Sequence, residues 1–418
     1  IAYLMAARNV APHQILAITF TNKAAGEMKE RVLDLVGNKA KLMQVSTFHS
    51  ACVRFLRSDA QKLGRTSTFS IYDSQDSLRL ITMIAAGLEI NSKVLSPRSL
   101  ASQISSLKSE LIDHESYSRR VETEQERLVA QVYSEYDQRL ARANAFDFDD
   151  LIGATVALLQ LFPDVKQKFR KRFKHILVDE YQDTNHAQYI LIKELVGSSK
   201  DGMPAAELCV VGDADQSIYA FRGATIRNIE EFERDFPNAK TILLEQNYRS
   251  TQNILSAANA VISQNAERRE KKLWTDQGQG EPIVGYVADN EHDEASFVAL
   301  EIEKLREENE YKYGQVAVFY RTNNQSRAFE EVFIRIGVPY RVVGGLKFYE
   351  RKEVKDVLAY LRSVINFDDE LSLRRILNVP KRGIGDKAEE VIEKQALFGG
   401  LLNPLSTVSK FLGSQAHD

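Results

Sequence analysis

The stretch from His175 to Asn185 constrains the fold of this chain more than any other part of it. Its apolar residues 176–178 lead directly into the adjacent carboxylates of Asp179 and Glu180, and polar residues follow. A short apolar run of this kind is typical of a buried strand in a parallel sheet. Open sheets of this class bind ligands beyond the carboxyl ends of their strands. The sequence therefore predicts two acids at a ligand-binding edge.

Two chemical roles fit these acids. Asp179 is placed to hold Mg²⁺, directly or through water, because this hard cation prefers oxygen ligands and retains several waters. Glu180 is placed to polarise the attacking water of a phosphoryl transfer. The residues alone fit a second interpretation equally well, in which an acidic strand end caps the following helix.

The size and charge of the chain limit its class. Its 418 residues predict two to four domains. A hydrophobic content of 44% and a charged content of 27% are typical of a soluble protein. The net charge is −3, so no global positive field indicates nucleic acid, and a DNA partner would have to bind in a local groove.

Cysteine positions and apolar runs give an expectation for the location of the chain. Cys52 and Cys209 lie far apart and have no metal-ligand neighbours in the sequence, which predicts a reducing, cytoplasmic location. No apolar run approaches the roughly 18 residues of a membrane span, and no signal peptide is visible. The chain begins at Ile1 within a segment that has the pattern of a helix interior, so we expect a piece of a longer protein.

Strand and helix patterns alternate along most of the chain, which predicts a parallel sheet. Residues 71–147 are the exception, because their three amphipathic helical segments and weak strand signals predict a helical insertion. A second α/β unit begins near residue 252, and the pattern is helical beyond 353. The predicted strands are 14–20, 41–46, 175–178, 208–211, 241–245, 283–288 and 316–320.

Polar motifs follow several of these strands. Five of them are Thr19–Ala25, Thr47–Ser50, Asp179–Asn185, Gly212–Tyr219 and Gln246–Ser250, and two more are Gly344–Tyr349 and Val379–Gly385. In this order they resemble the motifs of superfamily-1 DNA helicases of the UvrD/PcrA/Rep type, and the resemblance covers essentially the whole chain.

The resemblance implies an α/β fold with two RecA-like parallel-sheet lobes of the P-loop NTPase type, each with a helical insertion, and ATP between the lobes. It also implies truncation at both ends. The implied domains are 1–70 and 148–250 for the first lobe, 71–147 for its insertion, 251–352 for the first part of the second lobe, and 353–418 for the start of the second insertion.

The same resemblance assigns nucleotide-binding roles residue by residue, with ATP and Mg²⁺ as cofactors. Asp179 and Glu180 match the Walker-B pair. Gln216 matches the glutamine that senses the γ-phosphate, with a turn-forming glutamine as the alternative. Arg249 matches an arginine that reaches the γ-phosphate and stabilises charge there. Tyr248 matches the aromatic that stacks on adenine, although an aromatic side chain is more often a packing residue.

Single-stranded and duplex DNA are the implied partners. Phe20, Tyr219 and Phe221 would stack on bases, which suits a motor that does not read sequence, although each is more often a core residue when taken alone. Lys381 and Arg382 belong to a turn that would bind duplex backbone, with an ordinary basic turn as the alternative. The other candidates for backbone contacts are Asn22, Lys23, Thr47, His49 and Arg222.

The implied function is an ATP-dependent DNA helicase and translocase that moves 3′ to 5′ in repair or replication, with proteins of those pathways as further partners and no membrane. The phosphate loop Gly-x-x-x-x-Gly-Lys-Thr does not occur in the 418 residues, and the later motifs of the second lobe are also missing. We therefore expect the chain alone to hydrolyse ATP poorly. The alternatives are a non-catalytic DNA-binding fragment and, less favoured, an RNA helicase.

Overall fold

The structure, a computed structural model, divides into two compact units that are described separately. The first comprises residues 1–241 together with the chain from residue 358, and the second comprises residues 242–357. The residues that the structure describes are 1–198, 202–219, 227–265, 271–343, 351–384 and 388.

A four-stranded parallel sheet forms the centre of the first unit. Its strands are β1 (Ile15–Thr19), β2 (Gln44–Thr47), β5 (His175–Val178) and β6 (Glu207–Val210), in the order β2-β1-β5-β6. All of β1 is buried, as expected for a strand with a neighbour on each side. β6 is only half covered and forms one edge of the sheet within the described residues.

Helices cover both faces of this sheet. Leu16 and Ile18 pack on one face in a core that includes Phe55, whereas Ile15 points to the other face and packs near Val32. This alternation follows from the two-residue period of a strand. The helices are α1 (Ala2–Ala6), α2 (Asn22–Val36), α3 (Phe48–Asp59), α8 (Phe148–Leu161), α9 (Pro163–Arg172), α10 (His186–Val196) and α11 (Arg227–Asp235).

Short polar side chains start the helices that follow the strands. The Thr21 hydroxyl accepts a hydrogen bond from the N–H of Ala24 (3.1 Å), two residues after β1 ends. The Thr47 hydroxyl accepts one from the N–H of Ser50 (3.3 Å) at the end of β2. Each cap satisfies an N–H that has no partner inside its helix, so the chain turns directly from strand to helix.

The helical segment between the two parts of the sheet has a core of its own. Its helices are α4 (Ser74–Gly87), α5 (Pro97–Ser109), α6 (His114–Ser118) and α7 (Glu124–Arg142). Leu80, Leu100 and Val132 pack together in this core. The short strands β3 (Ser70–Ile71) and β4 (Ala145–Phe146) pair in parallel at the two ends of the segment.

A buried ion cluster joins this segment to α8. The Lys108 ammonium lies 2.7 Å from Asp147 Oδ2 and 2.7 Å from Asp150 Oδ1. The Tyr136 hydroxyl donates a hydrogen bond to Asp147 Oδ2 (2.9 Å), and the other oxygen of Asp147 accepts from the N–H of Asp150 (2.8 Å) and caps α8. Every polar group of the cluster therefore has a partner, as a buried charge requires.

The chain returns to the first unit within α15 (Lys352–Ile365), and α16 (Glu370–Ile376) follows. Asp369 is 1% exposed and accepts hydrogen bonds from the hydroxyls of Ser70 (2.7 Å) and Tyr72 (2.9 Å). These bonds attach the chain beyond residue 358 to the start of the helical segment.

The second unit is built on α12 (Gln252–Ile262), α13 (Glu291–Asn309) and α14 (Ser326–Ile336). Ala299 and Ile302 of α13 pack against Phe329 and Phe333 of α14. The apolar spacing on both helices produces this contact, because side chains three and four residues apart share one helix face.

Three predicted strands do not form, which corrects the sequence analysis. Residues 241–245, 283–288 and 316–320 are described by the structure and belong to no strand. Val287 and Phe319 remain 96% and 93% exposed. A strand is stabilised by its hydrogen-bonded neighbour rather than by its own composition. These segments have no ladder neighbour within the described residues, although Val316 and Val318 pack against the core between α13 and α14.

The predicted α/β class with a parallel sheet is confirmed, whereas the domain bounds stay predictions. Among the described residues, no helix combines the length and the apolar character that a bilayer crossing requires.

Candidate functional site

The acids of the first motif lie at the carboxyl end of β5. The N–H of Asp179 donates to the carbonyl of Ile18 (2.9 Å), so the β1–β5 ladder positions this residue. Burial raises the pKa of the Asp179 carboxyl above its usual value, and the neighbouring Glu180 carboxylate raises it further. A cation that binds beside a carboxyl group with a raised pKa stabilises the charged form of that group.

Glu180 has an uncommon backbone conformation. Its φ of 52° and ψ of 44° lie in the left-handed region, which costs energy for a residue with a Cβ. Its exposed carboxylate accepts a hydrogen bond from the Gln182 side-chain amide (2.8 Å) at Oε2. The turn after β5 therefore combines a left-handed residue with a side-chain contact between Glu180 and Gln182.

The second motif follows β6, the neighbour of β5. The N–H of Tyr181 donates to the carbonyl of Val211 (3.0 Å), which holds the two strand ends together. A 3₁₀ turn, Ala214–Gln216, follows, and the Gln216 amide donates to Asp213 Oδ2 (2.8 Å). The structure thus brings Asp179, Glu180 and Gln216 to one edge of one sheet, as adjacent parallel strands require.

Gln182 was not among the predicted site residues. It is 1% exposed, and its amide oxygen accepts from the N–H of Asp213 (2.9 Å) while its NH₂ donates to Glu180. It belongs to the motif Asp179–Asn185, and its position two residues after Glu180 was a further signal in the sequence. Its partner Asp213 lies 31 residues away, so only the fold reveals the contact.

The donor set at this edge fits a magnesium ion bound mainly by phosphate and water. Within the described residues, no group of three or more His, Cys, Asp or Glu side chains could hold a metal ion alone. Neither Asp179 nor Glu180 forms an ion pair with a lysine or arginine of the described chain. Mg²⁺ at nucleotide sites is held by one or two carboxylates together with the substrate phosphates, and Asp179 offers such a carboxylate.

Two further predicted nucleotide ligands lie in the second unit. Tyr248 is 74% exposed, and its hydroxyl donates to Gln246 Oε1 (2.8 Å). The exposed Arg249 is placed by a turn in which Asn247 Oδ1 accepts from its backbone N–H (2.9 Å). Both side chains are accessible, and their roles in nucleotide binding stay predictions.

Two of the aromatic residues predicted to stack on bases contact each other. Phe20 follows β1 directly and is half buried, and its ring lies 5.0 Å from the ring of Tyr219 at an interplanar angle of 33°. The structure therefore brings together residues that are about 200 positions apart in the chain. Phe221 and Arg222 lie outside the described residues.

The predicted backbone contacts near the first two strands differ in exposure. Asn22 and Lys23 are exposed on the first turn of α2, whereas Thr47 is buried and uses its hydroxyl to cap α3. His49 packs its ring 5.0 Å from that of Phe148, and burial lowers the pKa of its imidazole. Only Asn22 and Lys23 therefore present freely accessible polar groups here.

The predicted basic turn is already bonded within the chain. The Arg382 guanidinium donates to the carbonyls of Ile376 (2.6 Å), Leu377 (3.1 Å) and Val379 (3.2 Å) near the end of α16. Lys381 is exposed. The alternative of an ordinary basic turn that closes a helix therefore stays open for Arg382.

Comparison with known proteins supports the arrangement of these motifs. Residues 1–237 match the UvrD/REP helicase N-terminal domain, and residues 242–405 match the UvrD-like helicase C-terminal domain. The chain belongs to the UvrD/REP helicase family. Asp179, Glu180 and Gln216 lie in the first matched range, and Tyr248 and Arg249 lie in the second.

Several curated UvrD-like relatives match almost all of the chain. The ATP-dependent DNA helicase UvrD1 of Mycobacterium tuberculosis is 66% identical over 397 residues, which are 94% of this chain and 52% of that protein. UvrD1 of Mycobacterium leprae is 60% identical over 405 residues, 95% of this chain and 52% of that protein. The ATP-dependent DNA helicase PcrA of Bacillus subtilis is 49% identical over 401 residues, which are 96% of this chain and 54% of that protein. The chain spans about half the length of these relatives.

Proposed function

We propose that the protein is an ATP-dependent DNA helicase and translocase. The observation that carries this proposal is the edge formed by β5 and β6, where Asp179, Glu180 and Gln216 converge. The family membership and the relatives named as ATP-dependent DNA helicases support it. Acids, an amide and an open sheet edge are the groups that phosphoryl transfer uses.

In this proposal the residues at the sheet edge divide the work of ATP hydrolysis. Asp179 would hold Mg²⁺, which would supply positive charge to offset that of the phosphates. Glu180 accepts the proton of the attacking water at its carboxylate. Gln216 donates its amide N–H to a γ-phosphate oxygen, a bond that a neutral donor can make and release in each cycle. Arg249 stabilises the charge that develops at transfer.

The DNA path lies along the aromatic residues. Phe20 and Tyr219 offer ring faces on which bases of any sequence stack. Asn22 and Lys23, exposed at the start of α2, contact the phosphate backbone without reading sequence. Movement from 3′ to 5′ and a role in repair or replication follow from the family resemblance.

A substitution of one carboxylate tests the chemistry. In the intact gene product that carries this sequence, Glu180→Gln should lower DNA-stimulated ATP hydrolysis by about 10²–10⁴-fold, because the water loses its general base. Thermal melting should be unchanged, because the carboxylate is exposed. Gln188→Ala, on a helix of the same unit, is the control. Equal ATPase rates in the wild type and Glu180→Gln would refute the proposal.

The direction of movement needs a separate measurement. Strand separation by the same protein on 3′-tailed and 5′-tailed duplexes should favour the 3′ tail. A preference for 5′ tails would contradict the proposed direction and leave the ATPase proposal unaffected.

A second candidate function applies to the 418 residues on their own. They contain no Gly-rich loop to cradle the phosphates, so we infer that this chain alone hydrolyses ATP slowly and acts only as a DNA-binding piece. ATPase rates of the 418-residue chain and of the intact gene product, measured at equal concentration with single-stranded DNA, distinguish the two. Equal rates would contradict this inference.

We also propose a cytoplasmic location. Cys52 and Cys209 are free thiols, which fits a reducing compartment.

A further inference from the structure

We propose that Gln182 is a positioning residue that connects the Glu180 carboxylate to the loop carrying Gln216, so that the two groups around the γ-phosphate move together. This inference rests on the proposed function, because it assigns a task in ATP hydrolysis. Gln182 itself touches neither water nor nucleotide in this scheme and acts through Glu180.

The amide of Gln182 is bonded at both ends in a buried position. Its NH₂ donates to Glu180 Oε2 (2.8 Å), and its oxygen accepts from the backbone N–H of Asp213 (2.9 Å). A flipped amide would direct its oxygen at the carboxylate and its NH₂ at the N–H group, and both contacts would be repulsive. The two partners therefore determine one orientation, which only a side-chain amide can satisfy.

The connection continues beyond Asp213. Its carboxylate accepts from the N–H of Asp215 (3.0 Å) and from the Gln216 amide (2.8 Å). Three hydrogen bonds thus lead from Glu180 through Gln182 and Asp213 to Gln216. Each link joins adjacent groups of the two strand ends, so a shift of Gln216 toward a phosphate is transmitted to Glu180.

The electrostatics explain why a neutral amide occupies this position. A lysine or arginine at residue 182 would form an ion pair with Glu180 and weaken it as a base. The amide holds Oε2 without neutralising the carboxylate. Oε1 of Glu180 accepts no hydrogen bond from the described residues, so it is available to a water molecule.

Close packing supports the same connection. A Cβ on Gly212 would lie 2.7 Å from the Gln182 amide oxygen and 3.2 Å from the backbone nitrogens of Gln182 and Tyr181. The end of β6 therefore approaches the turn after β5 too closely for any side chain at residue 212. Glycine at this position lets the amide reach the N–H of Asp213.

The test measures kcat and KM for ATP with single-stranded DNA in the intact gene product. Gln182→Ala should lower kcat by about 10–100-fold, the usual effect of losing an outer-shell partner, and change KM by less than about threefold. Gln188→Ala is the matched control, because Gln188 is also a buried glutamine (6% exposed) whose amide bonds only near the start of α10. It should keep kcat within about twofold.

Two further variants separate positioning from a structural role. In the Glu180→Gln background, Gln182→Ala should have almost no additional effect on kcat, because it acts through the carboxylate already removed. Gln182→Glu places a second carboxylate beside Glu180. In a plot of kcat against pH, the acid limb should therefore move to higher pH by about one unit or more.

The outcomes distinguish this inference from the proposed function. An active wild type, an inactive Glu180→Gln and an unimpaired Gln182→Ala would overturn the inference alone. Equal losses of kcat in Gln182→Ala and Gln188→Ala, or additive losses in the double variant, would also overturn it. An inactive wild type would overturn the proposed function, and with it the catalytic task of Gln182.

Discussion

Two clusters of carboxylates in the first unit differ in what balances their charge. Asp147 and Asp150 are buried around Lys108, whose side chain is 5% exposed, and the ammonium lies 2.7 Å from each of them. Asp179 and Glu180 follow β5 as adjacent acids and have no cation partner in the described chain. A cation of the chain itself therefore balances the charge of the first cluster, whereas no cation of the described chain balances that of the second.

The pKa values follow this difference. Burial raises the pKa of Asp147, but the Lys108 ammonium outweighs burial and leaves that pKa below its usual value. Burial and the Glu180 carboxylate both raise the pKa of Asp179, and no cation opposes them. A cluster with its own cation stabilises the fold, whereas a cluster without one gains from an ion supplied from outside.

Removal of the internal cation should have the largest effect on stability. Lys108→Ala leaves two buried carboxylates without a partner, and breaking a buried pair in this way costs about 3–5 kcal/mol. We expect the free energy of unfolding, measured by urea titration, to fall by that amount at pH 8. The loss should be smaller at pH 5, where protonation relieves the unpaired charge.

The matched control for this prediction is Lys193→Ala. Lys193 lies 2.6 Å from Asp235, nearly the same distance as in the buried cluster, but its side chain is 50% exposed. Exposed pairs contribute about 0.2–1 kcal/mol. Equal losses for the two lysine variants would show that burial does not distinguish these ion pairs.

The buried cluster should also produce a pH dependence of stability. Burial and repulsion by Asp147 together raise the pKa of Asp150 from 3.8 to about 7, against the opposing effect of Lys108. The folded protein therefore holds this proton more tightly than the unfolded chain. The resulting stability is complete at low pH and is lost as the pH rises through 7.

Asp150→Asn isolates this effect, because an amide imitates the protonated acid. Between pH 5 and pH 8 the free energy of unfolding of the wild type should fall by about 1–3 kcal/mol more than that of the variant, since one pKa unit corresponds to about 1.4 kcal/mol. Asp149→Asn is the control, because the pKa of Asp149 is raised only to about 6. If the free energy of unfolding changed with pH in the same way for the wild type and Asp150→Asn, the pH dependence would come from a group other than Asp150.

The two clusters also differ in how far the sequence predicted them. The acids after β5 were predicted because the signal is local: an apolar run, then two carboxylates. Lys108 and Asp147 are 39 residues apart on different helices, and neither spacing nor composition connects them. Gln182 was missed for the same reason, since its bond to Asp213 exists only when β5 and β6 are neighbours.

The fold was predicted most accurately where local signals and tertiary contacts agree. β1 formed within the apolar run predicted as a strand, and α2 follows it directly from the cap at Thr21. Residues 283–288 and 316–320 have equally apolar sequences and form no strand, because strand formation depends on a neighbouring ladder that no local pattern contains. The sequence predicted that the sheet is parallel, but the strand order β2-β1-β5-β6 became known only from the structure.

The smallest change in stability is expected for Asp179→Asn, which contrasts most clearly with Lys108→Ala. Asp179→Asn removes one of two neighbouring carboxylates that repel each other and have no cation. We expect urea unfolding in a metal-free buffer at pH 7.5 to show an unchanged or slightly increased stability, by less than about 1 kcal/mol because solvent screens this half-exposed pair. A loss of more than about 1 kcal/mol would mean that Asp179 stabilises the fold as Asp147 does. In that case its carboxylate would not be available to an external ion, and the distinction between the two clusters would fail at the residue on which magnesium binding depends.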